Sequence, residues 1–240
     1  MIGRRGHGQF FSLTWTAVLL LPLALVLGCG GEESQKIAGA AAGGGVASAA
    51  AREEAPLVVF LGDSLTAGLG LGEEEAFPAL VEAELLEEGF AVRVVNAGVS
   101  GDTTAGGLAR LEWVLSQGPA VVVVGLGAND GLRGLPLEAT AGNLEEIVRR
   151  SRDAGARVVL LGMRIPPSYG FEYAGRFREL YEEVADDLDV PLVPFLLDGV
   201  AARPALNLPD RVHPNAAGHR KIAKTVYPYV EEEVEEALEE

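Results

Sequence analysis

Ser64, Asp210 and His213 are the residues whose types and spacing could do nucleophilic chemistry. Ser64 closes Val58-Val59-Phe60-Leu61-Gly62-Asp63-Ser64, an apolar run that stops abruptly in Gly-Asp-Ser and reopens as a helical stretch. A short β-branched run of this kind reads as a buried strand, and the Asp/Ser pair after it as the cap of a helix. On such a turn the serine Oγ is exposed, with its own N–H free and the positive helix end behind it. Gly-Asp-Ser alone is equally well explained as ordinary capping. Two distant stretches supply what a nucleophile needs: Gly127-Ala128-Asn129-Asp130 and Asp210-Arg211-Val212-His213-Pro214. A hydroxyl is a weak nucleophile without a base. Of three histidines, His7 lies in the N-terminal leader and His219 follows Gly218 on a polar helical stretch that reads as solvated, which leaves His213. Asp210, three residues earlier, falls on the same side of one turn, so its carboxylate can accept from Nδ1–H and fix the tautomer.

The elements that must position these groups alternate along the chain. Strands are expected at 57–61, 92–95, 121–126, 158–161 and 191–195. Helices are expected at 77–88, from an Asp102 cap to Leu115, at 137–154, at 173–188, and from Pro214 onward. Apolar strands alternating with helices predict a three-layer α/β/α sandwich around a five-stranded parallel sheet, with right-handed crossovers. Ligands in open sheets of this class bind beyond the carboxyl ends of the strands. Ser64, Gly98 and Asn129 follow the first, second and third strands, so one edge collects them, and Asp210 and His213 must reach back to it.

Four stretches in this order, Gly-Asp-Ser-Leu, Asn96-Ala97-Gly98, Gly-x-Asn-Asp and Asp-x-x-His-Pro, resemble the GDSL or SGNH hydrolase family from about Pro56 to Val230. Within it, Asn129 to Gly134 and Ile165 to Gly170 look most like the bacterial multifunctional thioesterase I and arylesterase branch. The resemblance implies flavodoxin-like strand order 2-1-3-4-5 and no cofactor or metal. It implies catalysis by Ser64, His213 and Asp210, and an oxyanion hole from the Ser64 N–H, the Gly98 N–H and the Asn129 amide. The implied reaction is hydrolysis of acyl esters and thioesters through an acyl-serine intermediate. Asp63, Asp102 and Asp130 are each accounted for by capping or turns, not by a metal. Gly131 to Pro136, with glycines around an apolar tip, reads as a mobile lid, and Ile165 to Phe171 as a second wall. Leu132, Arg133, Pro166 and Tyr169 are therefore the expected substrate contacts, and they suit an acyl chain better than a sugar. Two alternatives stay open: a carbohydrate O-acetylesterase of the same fold, and a binding module whose Gly62 to Gly72 loop cradles phosphate. The second lacks both standard glycine spacings directly after the strand.

Composition bounds the rest. The 240 residues carry a formal charge of −16, which excludes nucleic acid and anionic membrane faces as partners of the folded domain. The single cysteine, Cys29, rules out a disulfide framework and a cysteine-rich metal site. Arg4-Arg5 followed by an apolar stretch from Leu13 to Leu27 reads as a secretory signal over residues 1–29. Val26-Leu27-Gly28-Cys29 resembles a bacterial lipobox, which would make Cys29 the lipidation site and the one link to a membrane. Residues 30–55, rich in Ala and Gly, read as a flexible linker to a catalytic domain at 56–240. The expected location is the periplasm or cell envelope.

Overall fold

The computed structural model describes residues 55–239; the leader, Cys29 and all but the last residue of the linker lie outside the described residues. Five parallel strands, β1 (Leu57–Gly62), β2 (Arg93–Gly98), β3 (Val121–Gly125), β4 (Arg157–Leu161) and β5 (Leu192–Val193), stand in the order β2-β1-β3-β4-β5. β1 and β3 are buried at every position, as strands covered on both faces must be, which is why they read as unbroken apolar runs. The helices are α1 (Ser64–Ala67), α2 (Phe77–Glu87), α3 (Thr104–Ala109), α4 (Leu111–Leu115), α5 (Ala128–Leu132), α6 (Leu137–Asp153), α7 (Phe171–Leu188) and α8 (Ala216–Glu239). α2 packs on α8, and α3 and α7 pack on α6, giving the outer layers of the sandwich. Phe60 of β1 meets Phe77 of α2 edge to face at 5.5 Å and joins the sheet to one of them.

Some boundaries differ from the sequence reading, for local reasons. Asp102 does not cap the helix after β2, because its carboxylate is taken by the Arg110 guanidinium at 2.8 Å. Thr103 caps instead, its hydroxyl accepting from the Gly106 N–H. The expected single helix breaks at Arg110 into α3 and α4; Gly106 and Gly107 weaken its first half. β5 is only two residues long. The acidic stretch from Val230 onward is helical to Glu239, with Val230, Glu233 and Val234 buried. Arg157 of β4 pairs there with Glu233 at 2.8 Å and with Glu236, so the acids are held by the sheet.

Candidate active site

The carboxyl edge of the sheet places the candidate groups together. Asp63 caps α1, its Oδ1 accepting from the Leu65 N–H at 2.9 Å, and this leaves Ser64 at the first helical position. The Ser64 N–H has no acceptor among the described residues. Such a tight turn needs close packing behind it: a Cβ on Gly98 would lie 2.3 Å from the Ala67 nitrogen.

His213 Nε2 lies 3.0 Å from Ser64 Oγ, across 149 positions of sequence. Its Nδ1 lies 2.7 Å from Asp210 Oδ2. A carboxylate can only accept, so Nδ1 carries the hydrogen and Nε2 accepts from the serine hydroxyl. The His213 N–H and the Val212 N–H both donate to Asp210 Oδ1. These bonds hold the carboxyl down to about 2, the His213 N–H contributing most, then its ring N–H, then Val212. The loop closes on itself: the Leu208 N–H donates to the His213 carbonyl at 2.7 Å, and Asn207 and Pro214 form an antiparallel bridge. Hydroxyl, imidazole and carboxylate in line can pass a proton away from Oγ.

Asn129 stands in the first turn of α5, after Gly127 at φ 107°. Its Nδ2 donates to Asp63 Oδ2 at 3.2 Å and to the Asp102 carbonyl at 2.9 Å. Asp130 is buried beside it and accepts from both the N–H and the hydroxyl of Thr104, at 2.9 and 2.6 Å. Arg110 joins the network, donating to Asp102 and to the Gly62 carbonyl. Burial pushes the Asp63 carboxyl up to about 6, against the opposing pull of the Leu65 N–H, His213 and Asn129.

Gly98 needs correction. Its N–H donates to Asn96 Oδ1 at 3.0 Å, while Asn96 Nδ2 donates to the Thr66 carbonyl, so this backbone is spent on bracing β2 against α1. Three residues on, Gly101 at φ 83° has an N–H without an acceptor among the described residues, and its carbonyl is held by the Arg133 guanidinium at 2.8 Å. The signal for it was in the sequence as Ser100-Gly101-Asp102, a glycine before the carboxylate whose backbone Asn129 reaches.

A cavity of about 610 Å³ opens over Ser64, Asn129 and His213. Leu132 and Pro166 line it as expected; Arg133 and Tyr169 do not. Sequence reasoning missed Leu65, Met163, Arg164, Phe195 and Leu197, which reach the cavity from three separate segments that no local pattern connects. Gly131 is no hinge: it is buried, and a Cβ there would lie 2.7 Å from both Ile165 and Phe177. His219, expected in solvent, is buried; burial excludes charge, lowering its ring to about 4, and Nδ1 accepts from the Phe77 N–H at 3.1 Å. It lies apart from the cavity lining. Among the described residues no group of three or more His, Cys, Asp or Glu is arranged to hold a metal.

The GDSL-like Lipase/Acylhydrolase family matches residues 60–221. The chain is 42% identical to Esterase TesA of Pseudomonas aeruginosa, over 72% of this chain and 87% of that protein. It is 39% identical to Thioesterase 1/protease 1/lysophospholipase L1 of Escherichia coli, over 70% of this chain and 80% of that one. The crystal structure of TesA superposes with a TM-score of 0.72 at 40% identity, covering 74% of this chain and 99% of its own. That of AlinE4, an SGNH-hydrolase family esterase, gives 0.63 at 40% identity, with 75% and 96% covered.

Proposed function

The chain belongs to the GDSL-like lipase/acylhydrolase family and is a serine hydrolase of ester bonds, and from that premise we propose that Ser64, His213 and Asp210 are its catalytic triad. The observation that carries this assignment is the 3.0 Å approach of Ser64 Oγ to His213 Nε2, with Asp210 at 2.7 Å behind the ring. His213 takes the Ser64 proton as Oγ attacks the acyl carbon, and Asp210 stabilises the imidazolium. The imidazolium gives its proton to the departing alcohol or thiol, leaving an acyl-Ser64 ester. A water, deprotonated by His213, then releases the acid and restores the serine.

The negative oxygen of each tetrahedral intermediate is assigned to the Ser64 N–H and the Gly101 N–H, with the Asn129 amide as third donor, sharing with the oxyanion the hydrogen of its longer bond, the 3.2 Å one to Asp63, and with Gly98 behind them as packing. Losing one such donor costs about 3 kcal/mol of transition-state stabilisation. The substrates are acyl esters and thioesters, the acyl chain lying in the apolar part of the cavity along Leu65, Met163, Ile165 and Leu197. The apolar lining favours this over acetylated sugar, which needs many more donors and acceptors. The enzyme is placed outside the cytoplasm, carried there by the leader and tethered at Cys29.

Fluorophosphonate labelling with peptide mapping tests the assignment. A single adduct is expected on Ser64, lost in His213→Ala, with 4-nitrophenyl ester hydrolysis abolished in Ser64→Ala. Full activity in Ser64→Ala refutes it.

A further inference from the structure

Charge inside the cavity runs against charge in the chain. The sequence holds 35 acidic and 19 basic residues, yet the ionisable side chains lining the cavity are Asp63, Arg164, Arg211 and His213. The one carboxylate is buried and already accepts from Leu65 and Asn129. Asp210 is turned to the far side of the imidazole and is spent on His213 and Val212. Neither Arg164 nor Arg211 has a carboxylate partner among the described residues.

The Arg164 guanidinium and the Arg211 backbone are nevertheless held in place. The Arg164 guanidinium lies 4.8 Å over the ring centroid of Phe195, another lining residue. Arg211 sits at φ 60°, in the left-handed region that disfavours any residue with a Cβ. Its N–H bonds the Leu208 carbonyl, and the next two N–H groups are clamped by Asp210. Glycine would relieve that strain; arginine keeps a guanidinium at the cavity.

We propose that Arg164 and Arg211 form an anion subsite that takes a phosphate group on the leaving-group side of the ester or thioester. The proposal rests on the catalytic reading above and adds the substrate's second half to it. The side follows from the chemistry: His213 must hand its proton to the leaving group, so that group lies against the loop that carries Arg211. Phosphate follows from geometry, because its oxygens point in several directions and can meet guanidinium groups from two different loops, whereas one arginine saturates a planar carboxylate.

The test compares kcat/KM for decanoyl-coenzyme A with kcat/KM for 4-nitrophenyl decanoate in the full chain and in Arg164→Gln, Arg211→Gln, the double variant and the double lysine variant. The ratio of phosphorylated to neutral substrate is expected to fall about tenfold in each glutamine variant and about a hundredfold in the double. Lysine, which keeps the charge, is expected to retain most of it. Raising salt from about 50 to about 500 mM should lower the wild-type ratio and leave that of the double glutamine variant unmoved. Equal losses on both substrates, or an unchanged ratio, overturn the subsite. A wild type that cleaves neither substrate overturns the catalytic reading instead. Coenzyme A binding by calorimetry then decides: weakening of about tenfold or more in the double glutamine variant upholds the subsite, and unchanged binding removes it.

Discussion

Asp63 Oδ2 accepts a hydrogen bond from Asn129 Nδ2 at 3.2 Å while Asp63 Oδ1 accepts from the Leu65 N–H, so the residue before the nucleophile also holds the amide on the neighbouring loop. The ionised carboxylate accepts at both oxygens. Protonation turns one of them toward donating, against an amide nitrogen that can only donate. Asp63→Asn creates the same conflict permanently and is expected to lower kcat about a hundredfold, with a smaller change in KM. Burial sets the Asp63 carboxyl at about 6. Wild-type kcat should therefore decline as pH falls through 6, and the kcat–pH profile of the variant should lack that component. An unchanged kcat in the variant would show that Asn129 finds its place unaided.

Asp210 stays ionised across the working range, since the His213 N–H, its ring N–H and the Val212 N–H hold it at about 2. Its folded value lies below the ordinary carboxylate, so its contribution is present above pH 3.8 and is lost as pH falls toward 2. Asp210→Asn offers an amide in place of the acceptor and turns the imidazole to the wrong tautomer. A loss of roughly a thousandfold or more in kcat on a 4-nitrophenyl ester is expected. Activity within tenfold of wild type would remove Asp210 from the triad.

His219 couples the start of α2 to α8, accepting from the Phe77 N–H and stacking on the Phe77 ring at 6.1 Å between centroids. Burial keeps it neutral down to about 4, below the 6.5 of the open chain. Its contribution is complete above pH 6.5 and is lost as pH falls to 4, on the order of 3 kcal/mol. Asp63 runs the other way: raised to about 6, it favours the fold below 3.8, and that contribution is lost as pH rises through 6. His219→Asn keeps an acceptor for Phe77 and cannot take up a proton. Its Tm should no longer drop between pH 6.5 and 6, and below 6 it should rise as Asp63 protonates. Thermal denaturation across pH 4 to 7 reads both effects.

Thr104 is the donor that Asp130 depends on, through both hydroxyl and N–H, and Asn143 in turn donates to the Thr104 hydroxyl. Thr104→Val keeps the shape and removes the hydroxyl, leaving a buried carboxylate short of one bond. A loss of about 1–3 kcal/mol in urea unfolding is expected, with m unchanged.

Gly131→Ala drives a methyl into Ile165 and Phe177. Destabilisation of about 1–3 kcal/mol is expected. Because Ile165 lines the cavity, KM for long acyl chains should rise more than KM for acetate esters.

What the sequence made legible tracks how local the cause was. The strands and the meeting of Ser64 and Asn129 at one edge follow from where apolar runs end, and Val121 to Gly125 carries that signal unbroken, whereas strand order came only with the family resemblance. Asp210 and His213 were readable because three residues of spacing suffice to bring them together. Gly98 was misassigned because competition for its N–H comes from a side chain, Asn96, whose direction no pattern reveals. Asp102 failed as a cap because Arg110 bids more strongly for it. His219 looked exposed from its polar neighbours, and only the packing of α8 on α2 turns that position inward. Leu65, Met163 and Leu197 meet only in three dimensions.

The loop from Asn207 to Pro214 is pinched shut by its own backbone before it joins α8. Acid and base therefore travel as a prefabricated unit whose internal geometry does not depend on the two-residue strand upstream. The connection between Pro194 and Arg203 becomes the natural place to lengthen, shorten or graft chain. Alterations there that keep the Val200 and Arg203 carbonyls, which accept from Asn207 Nδ2 at 2.8 Å, would redraw the far wall of the cavity, and with it the choice of acyl group, while the proton relay is passed on intact.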